Sequence, residues 1–176
     1  MIATVKNLNG HIRRYPSRSK SSWTHLPACA YFSAIVWVAY ETGFRRNNLW
    51  HLRRSELRGN LLRIRHEKTR TPHFCELSEV ARDLFLSLPG EQPLDWNTTE
   101  KCYYRRWKRI CQIAEVPYGA TQKIRKTAAT LLWLEDEDNP SRVQRFLGHR
   151  TPTMWEHYVD TSQGKTRPPK PPRLSA

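Results

Sequence analysis

Phe146-Leu147-Gly148-His149-Arg150-Thr151-Pro152-Thr153-Met154-Trp155-Glu156-His157-Tyr158-Val159-Asp160 brings a helix stop, a helix start and an aromatic hydroxyl into one short stretch. Gly148 is the residue expected where a helix ends, because glycine adopts the left-handed turn without a Cβ penalty. Thr151 and Pro152 are suited to cap and open the next helix. Tyr158 then rides on a short helix, nine positions after His149. Most tyrosines so placed pack or face solvent, so its reading depends on what the rest of the chain brings to it.

Upstream, Asn139 and Pro140 cap a helix over 141–147. The acidic run Glu135-Asp136-Glu137-Asp138 before it reads as an exposed connection rather than a Mg²⁺ site. Residues 119–132 carry Ile124, Ala128, Leu131 and Leu132 at helical spacing as a core-facing stripe, with Arg125 in the first turns. Residues 99–114 form a longer helix whose Tyr103, Trp107, Ile110, Cys111 and Ala114 share one side. The remaining faces present Lys101, Arg105, Arg106, Lys108 and Arg109 against almost no acid, which points to contact with a nucleic-acid backbone, a merely solvated face being the alternative. A packing helix over 78–88 opens with Ser78 as cap and sets Val80, Leu84, Phe85 and Leu88 together.

Further back, Leu61-Leu62-Arg63-Ile64-Arg65-His66 alternates apolar and basic residues as a strand does, and residues 71–77 read as its neighbour. The turn between them, Glu67 to Arg70, puts Lys68 at the tip of a hairpin. From Pro27 to Tyr40 the chain is apolar nearly all round, the mark of a buried helix, and Gly43 stops it. Arg45 stands at the entrance of the next helical segment, which spaces Leu49 and Leu52 on one side. A guanidinium near a helix start works against the dipole and asks for an anion or a carboxylate. Glu41 and Glu115 are the structural candidates for pairing with Arg45 and Arg125. The fold class that results is mainly α with a small antiparallel β-sheet, α+β.

The chain of 176 residues is long enough for one domain with a real core: residues 27–160, between a flexible basic arm or linker remnant (1–26) and a flexible Pro/Lys-rich tail (161–176). Thirty Lys plus Arg against sixteen Asp plus Glu give a net charge of +14 and a pI of about 10.1. Such a balance suits a phosphate-backbone binder. Cys29, Cys75, Cys102 and Cys111 lie far apart with no C-x-x-C pair, so they read as reduced thiols rather than a zinc site or disulfide framework. No apolar run reaches bilayer length and no signal core opens the chain, so the expected setting is cytoplasmic and nucleoid-associated, without a membrane partner.

Taken in order, Thr42-Gly43-Phe44-Arg45, Lys68 in a hairpin turn, Arg125 ahead of Thr127-Ala128-Ala129-Thr130-Leu131-Leu132, Leu147-Gly148-His149 and Tyr158 resemble the motifs of the tyrosine recombinase, or phage integrase, catalytic domain. The resemblance covers roughly residues 27–160. Each motif alone is weak; their order, with the spacing from Leu-Gly-His to tyrosine kept, is specific. The resemblance implies a DNA recombination or integration enzyme, such as mobile elements encode, acting on double-stranded DNA and self-associating there as dimer or tetramer. It implies Tyr158 as nucleophile forming a 3′-phosphotyrosine intermediate. Arg45 and Arg125 then hold the non-bridging phosphate oxygens, Lys68 serves as general acid, and His149 donates to the phosphate or positions the tyrosine. Neither metal, cofactor nor ATP is expected, since the guanidiniums supply the positive charge.

The sequence departs from the family in two places. Gln122 stands three positions before Arg125, where the family carries histidine; glutamine supports by hydrogen bonding but exchanges no proton near neutral pH. Family members also have a helical core-binding domain ahead of the catalytic one, whereas about 26 polar residues precede Pro27 here. Both departures predict reduced activity. Two alternatives follow: a catalytically impaired integrase-like protein that binds DNA, and a type IB topoisomerase-like enzyme that relaxes supercoils by the same chemistry.

Overall fold

The apolar run after Pro27 forms helix α1 (Ala28–Thr42), and its burial on nearly every side makes it the axis of the domain. Tyr31, Phe32, Ile35, Val38 and Ala39 are all buried. In this computed structural model the described residues are 11–13, 25–65, 72–95, 99–149 and 156–159. After α1 come α2 (Arg46–Trp50), a 3₁₀ turn (Arg54–Glu56), and the strands β3 (Leu57–Arg58), β4 (Leu61–Arg65) and β5 (Pro72–Glu76). Helices α3 (Glu79–Ser87), α4 (Glu100–Ile113), α5 (Thr121–Glu135) and α6 (Pro140–Leu147) follow. The architecture is mostly helical with a small antiparallel sheet, as the sequence predicts; the sheet has three strands in the order β3-β4-β5, β3 being added to the expected hairpin.

In the β4–β5 pair Leu62 opposes Cys75 and Ile64 opposes His73, so Leu62 and Ile64 bury while Leu61 and Phe74 stay exposed. That alternation is the period-2 pattern of a half-buried sheet. The Ser78 hydroxyl accepts from the Ala81 amide as the expected cap, and the Thr99 hydroxyl accepts from the Cys102 amide, which makes Thr99 the cap of α4 rather than its first residue. Helix α4 buries Tyr103 and Trp107 against Phe32, with ring centroids 5.9 and 5.8 Å away. The Trp107 indole N–H donates to the Gly119 carbonyl at 2.7 Å and fixes the approach to α5. Cys75, Cys102 and Cys111 are free thiols.

Several local expectations differ. Val80 is 51% exposed; the inward stripe of α3 is Ala81, Phe85 and Leu88, one position round the helix, with small Ala81 fully buried. Leu131 is 44% exposed, because α5 turns Ile124, Arg125, Ala128 and Ala129 inward. Hydrophobicity alone does not anticipate a helix whose buried side includes an arginine. Segment 44–52 is helical over the five residues of α2 alone, although Leu49 and Leu52 are both buried. The Asn139 side chain makes no cap hydrogen bond, and Pro140 opens α6. Within the arm, β1 (His11–Arg13) pairs antiparallel with β2 (His25–Pro27), so Pro27 ends a strand and Ala28 starts the helix. Strands of three residues are too short to leave a readable alternation. Around the tyrosine, Glu156 to Tyr158 form a turn rather than a helix. Thr151 and Pro152 lie outside the described residues, as does the tail.

Candidate active site

The site begins at the end of α1. Thr42 is fully buried; its hydroxyl donates to the Val38 carbonyl at 2.6 Å and accepts from the Phe44 amide at 3.2 Å. Gly43 then turns the chain with φ +61°. A Cβ at this position would lie 2.6 Å from the Phe146 ring, so glycine is needed for space as well as for backbone. The turn delivers Arg45 to the N-cap position of α2, with its side chain exposed.

A second turn closes α6. Gly148 has φ +62°, its amide donates to the Arg145 carbonyl, and the His149 amide donates to the Gln144 carbonyl, both at 3.0 Å. These are the two bonds of a Schellman stop. The Gln144 amide group also donates to the His149 carbonyl at 3.2 Å, so the backbone of Leu147-Gly148-His149 is held from several sides.

Arg125 joins the two turns. Its guanidinium donates to the Gly43 carbonyl on one side and to the Leu147 carbonyl, at 2.8 Å, on the other. It also meets His149 Nε2 at 3.1 Å. Because a guanidinium has no acceptor, Nε2 must be the accepting nitrogen, and His149 is then the tautomer protonated at Nδ1. Arg125 is 1% exposed, with neutral groups rather than a carboxylate around it. Burial first, then the like charge of Arg45, push its pKa down to about 10, with Tyr158 acting the other way; it stays protonated at neutral pH. Ion pairs to the candidate carboxylates do not form: Glu41 accepts from the Ser78 amide and hydroxyl instead, and Glu115 is exposed past the end of α4.

Tyr158 sits against this framework, half-buried. Arg45 Nη2 donates to its hydroxyl at 3.4 Å, the Arg125 guanidinium lies 4.9 Å from its ring centroid, and the His149 ring is 4.9 Å away at a tilt of 54°. Burial of the hydroxyl opposes ionisation, but the Arg45 hydrogen bond, the Arg45 charge and then the Arg125 charge outweigh it, and the phenol lies below its ordinary pKa.

Four of the candidate residues therefore meet: Arg45, Arg125, His149 and Tyr158. Gln122 is exposed on α5 and is not among the contacts of the tyrosine; Lys68 lies outside the described residues. On α4, Lys101, Arg105, Lys108 and Arg109 are exposed and Arg106 is half-buried. The sequence left unread the fastening of the two turns through Thr42, Gly43 and Phe146. It also missed a cavity of about 470 Å³ beside Tyr158, lined in part by Lys123, Lys126, Thr127 and Thr130. The spacing of those four on one helix side was the available signal. Among the described residues no group of three His, Cys, Asp or Glu could hold a metal, and no helix is long and apolar enough to cross a membrane.

No family model matches this chain, and no curated protein does. Solved structures do. The chain is similar to the XerH site-specific recombinase bound to palindromic difH substrate in a post-cleavage complex, with a TM-score of 0.65 at 16% identity over 90% of this chain and 46% of that one. It is similar to a lambda integrase tetramer bound to a Holliday junction, with 0.59 at 16% identity over 80% of this chain and 45% of that one. The catalytic domain of bacteriophage HP1 integrase gives 0.53 at 21% identity, over 73% of this chain and 76% of that one. The fold is thus that of a tyrosine recombinase catalytic domain. The chain spans about half the length of the XerH and lambda integrase chains.

Proposed function

We propose that this chain cleaves and rejoins double-stranded DNA as a site-specific recombinase or integrase, with Tyr158 as the nucleophile. The observation that carries the reading is the convergence of Arg45, Arg125 and His149 on Tyr158 from three separate parts of the chain. In the reaction, Tyr158 gives up its proton to solvent, its oxygen bonds to phosphorus, and the bond to the 5′-oxygen breaks. Lys68 returns a proton to that oxygen. Negative charge grows on the phosphorane, where fixed guanidiniums stabilise it most. The 3′-phosphotyrosyl link keeps the energy of the broken phosphodiester, so a 5′-hydroxyl reverses the step without ATP. The basic side of α4, from Lys101 to Arg109, contacts the backbone outside the reacting phosphate, and copies of the chain assemble on DNA as dimers or tetramers.

A second reading, DNA binding without chemistry, is favoured by two features. Gln122 exchanges no proton, and Arg125 is 1% exposed beneath the tyrosine. A nicked duplex that releases a short fragment on cleavage separates the readings. The expected result is a covalent protein–DNA product that Tyr158→Phe abolishes. Retarded DNA with no covalent product would establish the binding protein instead. Relaxed plasmid without recombinant product would favour a topoisomerase.

A further inference from the structure

The cavity beside Tyr158 is built from a part of α5 that the cleavage chemistry leaves unused. Lys123, Lys126, Thr127 and Thr130 follow the i, i+3, i+4, i+7 spacing that puts four side chains on one side of a helix. Among the described residues Leu131, His157, Tyr158 and Val159 also line it. Among the described lining residues there is no carboxylate; they include two lysines, two threonines and a histidine. Like charges on neighbouring positions of one helix side repel, and a bound anion offsets that repulsion. A volume of about 470 Å³ is in the range of sites that hold small ligands and is ample for a sugar-phosphate unit.

Two features select the anion. Tyr158 is a wall of the cavity and also the acceptor of the Arg45 hydrogen bond, so an occupant lies next to whatever the guanidinium pair holds. In addition, Lys126 stands four residues after Gln122 and so on the same side of α5, restoring a cation one turn away from the neutral amide. Lysines act as point charges on flexible stems, suited to following a strand rather than clamping one phosphate in a fixed fork.

We propose that this cavity holds a second phosphodiester of the DNA strand, adjoining the one at which Tyr158 acts, with Lys123 and Lys126 as counter-charges and Thr127 as hydroxyl donor. The proposal rests on the reading of Tyr158 as the residue that meets the scissile phosphate. Lys123 and Lys126 are exposed, so their replacement leaves the core intact.

The test uses Tyr158→Phe protein, so that binding is read without cleavage, with and without Lys123→Ala plus Lys126→Ala. The logarithm of the binding constant for a duplex is followed against the logarithm of salt concentration. Removing one phosphate contact is expected to flatten the slope by about 0.9, and Lys123→Arg plus Lys126→Arg to restore it. Should the alanine pair melt early, Lys123→Gln plus Lys126→Gln takes its place. An unchanged slope overturns the proposal, as does a change confined to self-association in sedimentation, which would make the cavity a protein contact. Wild-type adduct formation is scored separately. A flattened slope without any adduct keeps the phosphate site and rejects the nucleophile, while an adduct with an unchanged slope does the reverse.

Discussion

Two hydrophobic clusters of unequal depth carry the two sides of the site. The larger gathers α1, α3, α4 and the inner side of the sheet around Phe32, Phe85 and Trp107, and the turn that presents Arg45 is anchored on it through buried Phe44 and Leu49. The smaller consists of Ala129, Trp133, Val143, Leu147 and Val159, with Tyr158 packed against it. Helix α5 belongs to both, giving Ile124 to one and Ala129 to the other. Arg125 straps them together, since its two carbonyl partners, of Gly43 and Leu147, lie one on each side. The larger cluster makes the domain stable, whereas the seam between the two places Arg125 beside Tyr158.

The largest expected effect tests the deep side. Trp107→Ala removes a fully buried indole and its bond to Gly119, and should cost about 3–5 kcal/mol in urea denaturation, enough to unfold much of the protein. A cost under about 1 kcal/mol would mean that the larger cluster is not the main source of stability.

The strap comes next. Arg125→Ala leaves buried carbonyls without their donor, so adduct formation should disappear while stability falls by about 1–3 kcal/mol. Arg45→Ala, at an exposed position, should lower adduct formation by about 10²–10³-fold with the melting temperature unchanged. Equal stability losses for the two would break the distinction between strap and exposed donor.

The smallest effect is in the pH profile. With its phenol below the ordinary value, Tyr158 ionises earlier on raising the pH, so single-turnover cleavage should rise with a midpoint below about 10. It should decline as Arg125 loses its proton near 10. Arg45→Ala should move the rising limb to higher pH, because both the hydrogen bond and the charge that favour tyrosinate are gone. For stability the sign is that of any acid with a depressed folded pKa: the contribution is present above the ordinary tyrosine value and is lost as pH falls through the folded one.

Much of this organisation was legible in the sequence because it rests on local chemistry. The cap at Ser78, the glycine turns at 43 and 148 and the alternation through Leu62 and Ile64 are each decided by a few adjacent residues. The phase of α3 and the exposure of Leu131 were not, since the buried side of a helix is set by the element it meets. The order of motifs brought Arg45, Arg125, His149 and Tyr158 to attention. Their fastening was hidden, because the backbone carbonyls of Gly43 and Leu147 have no sequence signature and lie far from Arg125 along the chain. The lysine stripe of α5 was visible as spacing, but it acquires meaning only once Tyr158 is folded beside it.

The most direct measurement is the identity of the residue that carries DNA after reaction with a nicked duplex, found by digesting the trapped product and sequencing the modified peptide by mass spectrometry. The expected result is a single nucleotide-bearing residue, Tyr158, linked through a 3′-phosphate. DNA on any other side chain, or a 5′-phosphate linkage, would contradict the assignment of Tyr158 and the site built around it.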